Sequence, residues 1–282
     1  MLRRDPHGLP LARPDGRDGS GRWETFAEMR FLRRRPPPTL PDNWIDIVER
    51  RVAQWALLDD DERERLGRLM TEIVERKRWE AANGFELTDE IRTVIAAQAA
   101  VLILGLDFDW YRAVRAIVVH PSEVVSYEPR PGPVEGTMED GPFTLLGLAD
   151  HRLGPVLIAW DEARSNARHP AWGHDVVLHE FAHKLDMLDD VVNGTPPLHR
   201  PEDGPRWHDV CTRELGLLRA GQGWPLRDYG AQDPGEFFAV ATEAFFTLPI
   251  QLEETKPDLY GVLRDFYRQD PAARVRRRAA AQ

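Results

Sequence analysis

The sequence has few of the residues that mark a disulfide-bonded, secreted or membrane-spanning protein. Cys211 is the only cysteine in 282 residues, so the chain can build neither a disulfide framework nor a zinc site from several cysteines. The longest apolar run, VIAAQAAVLILGL at 94–106, is too short to span a bilayer and contains Gln98. No apolar stretch typical of a secretory signal follows the basic N-terminus. These absences predict a cytoplasmic protein without a membrane span.

Positive charge is scarce in the body of the chain. The formal net charge is −10, and residues 1–35 and the segment RVRRR at 274–278 each carry +4, which leaves −18 on residues 36–273. An acidic body argues against a broad nucleic-acid surface. The basic ends are predicted to be solvated tails. We therefore expect an N-terminal tail over 1–39, one domain over 40–270 and an Arg-rich C-terminal tail over 271–282.

The order of predicted elements indicates an α+β fold. Three helices come first: one with its apolar face from Trp44 to Ala56, one from Asp59 to the NG pair at 83–84, and one capped by Thr88. Strands are predicted at 114–121 and 124–128, and FTLLGLAD at 143–150 is predicted to pair with GPVLIAW at 154–160. Helices are predicted at 173–188, 203–220, 234–247 and 256–269. Such an order, without regular β-α alternation, suits a small mixed sheet with helices before and after it.

The segment VVLHEFAHKLD at 176–186 contains the pattern HExxH. On a helix, His179 and His183 lie one turn apart and present both imidazoles on one face, where two ring nitrogens can bind one zinc ion. Glu180 then lies beside the metal as a candidate general base. An ordinary core helix, with its histidines bonded to backbone carbonyls, fits the same five residues. A third ligand would decide between these two interpretations.

Candidates for that ligand occur in DYGAQDPGEFFAVATEAFF at 228–246. Asp233 and Pro234 predict a helix start, and Glu236 and Glu243 follow on one side of an otherwise apolar helix, seven residues apart. Two carboxylates on so apolar a helix are costly to bury unless a cation compensates them. Their exposure to solvent is the alternative interpretation.

Together, VVLHEFAHKLDMLD and DYGAQDPGEFFAVATEAFF resemble the Mlc titration factor A family of zinc-dependent peptidases, over most of residues 40–270. The second segment is also similar to the metal-binding helix of anthrax-lethal-factor-type zinc proteases, in which a tyrosine precedes the ligand glutamate by seven residues, as Tyr229 precedes Glu236. Val240, rather than a carboxylate, stands four residues after Glu236, which departs from the thermolysin-like pattern.

The resemblance implies a zincin-like metallopeptidase fold with an N-terminal helical extension and one zinc ion per chain. The implied ligands are His179, His183 and Glu236, with Glu180 as the catalytic base and Glu243 orienting a histidine. As a hypothesis of mechanism, Tyr229 donates to the oxyanion if it points inward, and the alternative is a loop aromatic that packs under the helix start. The segment 154–160 is the candidate edge strand for binding a peptide or protein substrate, and an internal strand is the alternative. Family members also sequester a transcriptional repressor of the Mlc type, so repressor binding is the alternative function. The mode of cleavage, by an aminopeptidase or an endopeptidase, stays open.

Overall fold

The structure, a computed structural model, describes residues 38–82, 84–122, 154–189 and 191–281, and the backbone of four short strands between 125 and 144. The expected N-terminal tail, except for its last two residues, lies outside the described residues, and so does most of PRPGPVEGTMEDGP at 129–142, a segment whose prolines and glycines predict a loop. Within the described residues, no helix combines the length and the apolar character that a membrane crossing needs.

Helices make up most of the described chain. The α-helices are α1 (Trp44–Arg51), α2 (Asp60–Arg76), α3 (Asp89–Leu102), α4 (Trp160–Arg168), α5 (Val176–Asp186), α6 (Gly204–Arg219), α7 (Pro234–Thr247), α8 (Pro249–Thr255), α9 (Pro257–Tyr267) and α10 (Pro271–Ala280). Helices α2 and α3 start where the sequence predicts. The Asp59 carboxylate accepts from the backbone N–H of Glu62 at 3.0 Å, and the Thr88 hydroxyl accepts from that of Ile91 at 3.3 Å.

The strands are β1 (Arg78–Ala81), β2 (Ala116–His120), β3 (Val125–Ser126), β4 (Arg130–Pro131), β5 (Met138–Glu139), β6 (Phe143–Thr144) and β7 (Val156–Ala159). Strands β1, β2 and β7 form a parallel sheet in that order, with Ile117 opposite Trp79 and Val156. Strands β3 with β6 and β4 with β5 form two small antiparallel pairs. The α+β class is confirmed, with the larger sheet parallel rather than mixed.

Two predictions about the strands are wrong. The second predicted helix ends at Arg76, and Arg78–Ala81 is strand β1, since its backbone pairs with a segment almost forty residues away. Among the described residues, the predicted pairing of 143–150 with 154–160 does not occur, because β6 pairs with β3 and β7 pairs with β2, while residues 145–150 lie outside the described part of the chain. Local sequence carries no information about which distant strand supplies a partner, and both errors have this cause.

The basic C-terminal segment also differs from the solvated tail that its charge suggested. Pro271–Ala280 is helix α10, capped by Asp270, whose carboxylate accepts from the backbone N–H of Ala273 at 2.9 Å. Arg274 is buried, and its guanidinium donates to the Glu62 carboxylate at 2.7 Å. The acidic partner lies at the start of α2, more than two hundred residues earlier. The prediction of a solvated tail, which rested on charge composition alone, is therefore wrong for residues 271–280.

The core surrounds α5, which packs against α3, α7 and β7. Every residue of α5 is buried, including the apolar Val177, Phe181 and Leu185. Helix α7 is similarly buried from Phe237 to Thr247. Burial of one large apolar side chain contributes about 1.5–3 kcal/mol to the free energy of unfolding. The mutual packing of two apolar helices therefore fixes their relative position firmly.

Gly194 joins the C-terminal end of α5 to the start of α7. Its backbone N–H donates to the Asp186 carboxylate at 2.9 Å, and its carbonyl accepts from the Trp207 indole at 3.1 Å. Its φ is +72°, and a Cβ at this position would lie 2.2 Å from the carbonyl oxygen of Pro234. Only glycine fits both the backbone conformation and the close approach.

Replacing Gly194 with alanine should therefore lower the free energy of unfolding by roughly 2–4 kcal/mol, because left-handed strain and a backbone clash add together. Gly221 is a matched control, with φ +74° and no atom within 4 Å of a Cβ built there. Gly221→Ala should cost only about 1 kcal/mol, for the strain alone. Chemical denaturation of both variants checks this. Equal losses would contradict the steric role of Gly194.

Candidate metal centre

The two histidines of the HExxH pattern face each other across one turn of α5. Asp175 caps this helix, and its carboxylate accepts from the backbone N–H groups of Val177 at 3.0 Å and Leu178 at 3.1 Å. His179 and His183 follow on one face, both buried. Their Nε2 atoms lie 3.1 Å apart. The helix therefore presents two ring nitrogens to a single point.

Glu236 meets these nitrogens from the first turn of α7. The Asp233 carboxylate accepts from the backbone N–H of Glu236 at 3.0 Å, and Pro234 occupies the first turn, so the start of the helix is well defined. Glu236 Oε2 lies 3.1 Å from His179 Nε2 and 3.5 Å from His183 Nε2. Three potential ligand atoms from two helices thus converge.

The donor set fits a small cation. Zinc ligands at about 2.0–2.1 Å in tetrahedral geometry lie about 3.3 Å from one another, and the three separations here are 3.1, 3.1 and 3.5 Å. Glu236 Oε2 is buried and has no hydrogen-bond partner among the described residues. A buried carboxylate oxygen without a donor is unfavourable. A metal ion bound by the three atoms would remove that cost.

The pKa shifts of the clustered side chains also favour a positive charge between them. Burial by itself would lower the pKa of His179, but the adjacent carboxylates of Glu236 and Glu243 raise it to about 10. Burial by itself would raise the pKa of Glu236, but the imidazoles of His179 and His183 hold it well below its usual range. The cluster stabilises a positive charge between its members, and either a proton or a metal ion can supply it.

Glu243 accepts hydrogen bonds from three separate segments and is completely buried. Its Oε1 lies 2.8 Å from His179 Nδ1 and 2.6 Å from Arg227 Nη2. Its Oε2 lies 2.6 Å from His174 Nδ1 and 2.7 Å from the backbone nitrogen of Asp175. The bond from Nδ1–H of His179 leaves the Nε2 lone pair of the neutral ring directed at the candidate metal position.

Glu180 lies on α5 between the two histidines and is buried. Burial raises the pKa of its carboxyl group, with the charges of His179 and His183 opposing the shift and that of Glu236 adding to it. A raised pKa brings a carboxylate nearer to the value at which it exchanges protons efficiently at neutral pH. Glu180 therefore has the environment of a general base or acid.

Tyr229 lies next to His179 on the short 3₁₀ helix Asp228–Ala231. Its ring centroid is 5.8 Å from that of His179, and the residue is 42% exposed. Burial, with Glu236 and Glu180 nearby, raises the pKa of its hydroxyl to about 12. Tyr229 therefore stays protonated at neutral pH and can donate a hydrogen bond.

His174, Cys211 and Arg227 were not among the predicted site residues. His174 is half-buried, and its Nδ1 lies within hydrogen-bond distance of the Glu243 carboxylate. Burial raises the pKa of the Cys211 thiol to about 12, which disfavours the reactive thiolate. Arg227 was missed, because its contact with Glu243 joins residues on different elements and has no local signature.

Strand β7 forms one edge of the parallel sheet within the described residues. It packs against α5, and Lys184 of that helix donates to the carbonyl of Gly154, just before the strand, at 3.1 Å. The sequence prediction of an edge strand next to the motif helix therefore agrees with the described part of the sheet. An edge strand can pair with an extended peptide.

A buried His, His, Glu cluster with a glutamate between the histidines is the arrangement of a mononuclear metallopeptidase centre. Residues 23–268 match the model of the glucose-regulated metallo-peptidase M90 family. The chain belongs to this family, as its motifs indicated. Membership implies a metal ion, and the cluster described above is the possible site for it.

Curated relatives cover most of the chain. An uncharacterized protein of Synechocystis is 33% identical over 90% of this chain and 92% of its own length. Mlc titration factor A of Edwardsiella ictaluri is 29% identical, over 86% of this chain and 94% of its own. Mlc titration factor A of Yersinia pestis is 28% identical, over 80% of this chain and 88% of its own length. These names describe the relatives and give no catalytic activity.

Replacing Glu243 with glutamine should weaken metal binding by about 10–100-fold, the usual effect of removing a carboxylate that orients a metal-bound histidine. Metal affinity is measured by competition with a chromogenic chelator. Glu253→Gln is the control, since Glu253, on helix α8, pairs with Arg276 of α10 and is not part of the cluster. Its affinity should match that of the wild type. An unchanged affinity in Glu243→Gln would contradict the orienting role.

Proposed function

We propose that this protein is a zinc-dependent peptidase with a zincin-like fold, in which His179, His183 and Glu236 hold one zinc ion per chain. The observation that carries the proposal is the convergence of two Nε2 atoms and one carboxylate oxygen at separations of 3.1–3.5 Å. Two nitrogens and one oxygen suit zinc, and three protein ligands leave a coordination position open for chemistry.

Bound zinc would polarise the scissile carbonyl and lower the pKa of a water molecule towards about 7. The Glu180 carboxylate accepts a proton from the attacking water and then delivers it to the departing amine. Burial of Glu180 supports this role, because a buried base exchanges protons without competition from solvent. Glu236 and the histidines remain ligands throughout.

The hydroxyl of Tyr229 donates to the oxyanion that develops as the carbonyl is attacked. Its position beside His179 and its protonated state at neutral pH support this role. An extended peptide pairs with the edge of β7 that has no partner strand among the described residues, which orients its backbone next to α5. A cytoplasmic location, expected from the sequence, belongs to the same proposal.

Glu180→Gln should keep its zinc and lose at least about 100-fold in kcat, because proton transfer contributes about 10²–10⁴-fold. Glu236→Ala should lose zinc instead, because it removes a ligand. Metal content by elemental analysis and hydrolysis of a fluorogenic peptide distinguish the two effects. Each peptide is tested with a free and with a blocked N-terminus, which separates aminopeptidase from endopeptidase activity.

Tyr229→Phe serves as a third variant in the same experiment. It should retain zinc and KM while kcat falls, since only the contact made in the transition state is lost. Wild-type turnover in Glu180→Gln would exclude the proposed mechanism, whatever the other variants do.

The relatives' name favours a second function, the sequestering of a transcriptional repressor of the Mlc type. If repressor binding is the function and the metal site only modulates it, Glu180→Gln and Glu236→Ala should both bind a purified Mlc-type repressor. Calorimetric titration measures the two affinities against that of the wild type. The absence of binding by the wild-type chain would exclude this second function.

A further inference from the structure

Arg227 occupies a position that links the candidate metal centre to Tyr229. Its Nη2 lies 2.6 Å from Glu243 Oε1, the same oxygen that lies 2.8 Å from His179 Nδ1. One carboxylate oxygen therefore joins the guanidinium and the imidazole. Any shift of Arg227 changes the acceptor that orients His179.

The charge of Arg227 also matters, because Glu243 is completely buried while Arg227 is about one-third exposed. Burying a carboxylate is unfavourable unless a positive charge compensates it. Among the donors to Glu243, the backbone N–H of Asp175 is neutral, and the histidines carry charge only when protonated. The guanidinium is the donor that is always charged. It places a fixed positive charge 2.6 Å from the buried carboxylate oxygen that orients His179.

Arg227 also holds the segment that carries Tyr229. It directly precedes the 3₁₀ helix Asp228–Ala231, and its carbonyl accepts from the backbone N–H of Gly230 at 3.1 Å. Its guanidinium carbon lies 5.9 Å from the centroid of the Tyr229 ring. A cation at this distance from an aromatic ring is attracted to it. One side chain thus contacts both the carboxylate behind His179 and the tyrosine beside it.

From these contacts we propose that Arg227 is a positioning residue, which orients His179 through Glu243 and holds Tyr229 next to it. The inference rests on the proposed peptidase function for its effect on turnover. Its effect on metal affinity does not depend on turnover. Substrate need not contact Arg227 for either effect.

A matched control exists at the other end of the same segment. Arg219 on α6 donates from Nε to the carbonyl of Ala231 at 2.9 Å and from Nη2 to that of Gln232 at 3.3 Å. It therefore anchors the segment through the backbone and, within the described residues, makes no hydrogen bond to Glu243 or Tyr229. Loss of Arg219 loosens the segment, whereas loss of Arg227 also removes the charge beside Glu243.

Arg227→Gln should weaken zinc binding about tenfold, the lower end of the range for residues behind a metal ligand. Its kcat should fall by a similar factor while KM changes less than about twofold, because the substrate is not contacted. Arg227→Lys, which keeps the charge, should recover part of both losses. Arg219→Gln should bind zinc as the wild type does. Chelator competition, steady-state kinetics and thermal denaturation of the full chain measure these effects.

A double variant tests the route of the effect. In the Glu243→Gln background, Arg227→Gln should weaken zinc binding less than twofold further, since the carboxylate through which it acts has gone. Full additivity of the two losses would overturn the proposal. So would equal losses in Arg219→Gln and Arg227→Gln, which would assign the effect to loosening of the segment.

The failure of this inference differs from the failure of the proposed function. If the wild-type chain binds zinc and cleaves peptide but Arg227→Gln does both equally well, the positioning role is overturned and the peptidase proposal stands. If the wild type binds zinc without cleaving any peptide, the peptidase proposal fails, and the zinc affinity of Arg227→Gln still decides the positioning role. A wild-type chain that binds no zinc overturns both.

Discussion

The buried carboxylate of Glu243 is the interaction on which the rest of the site depends. An ionised carboxylate without solvent is stable only if donors surround it, and here they come from the start of α5, from His179 within it, and from Arg227. Helix α7 can bury Glu243 only where all of these donors are within reach. The buried charge of Glu243 therefore restricts how α7 packs against α5. The same packing places Glu236 next to the histidines.

The polar groups of α5 impose a second constraint of the same kind. Lys184 and Asp186 are buried on a helix with no exposed face, so each bonds outside the helix, to the carbonyl of Gly154 and the N–H of Gly194 respectively. These bonds connect α5 to the approach to β7 and to the loop between α5 and α6. The C-terminal end of the helix that carries the histidines is thus tied to the sheet and to a loop whose Gly194 lies against Pro234, at the start of α7.

Local signals predicted a large part of the fold. Caps at Asp59 and Thr88 mark true helix starts, and the apolar faces gave the right type for α2, α3, α5, α6, α7 and α9. The errors share a cause, since they involve partners distant in sequence. Strand β1 depends on pairing with β2, and α10 depends on the contact of Arg274 with Glu62. Helical periodicity or charge within one segment cannot reveal such partners.

What the sequence determined by itself was the HExxH helix and the two carboxylates that follow it, because a helical repeat places residues four or seven apart on one side. The assignment of those carboxylates required the tertiary structure. Glu236 faces Nε2 of His179 and Glu243 faces Nδ1, so the two contact opposite sides of one imidazole. Helical spacing puts both glutamates on the same side of α7, and only the packing of α7 against α5 decides which nitrogen each one meets.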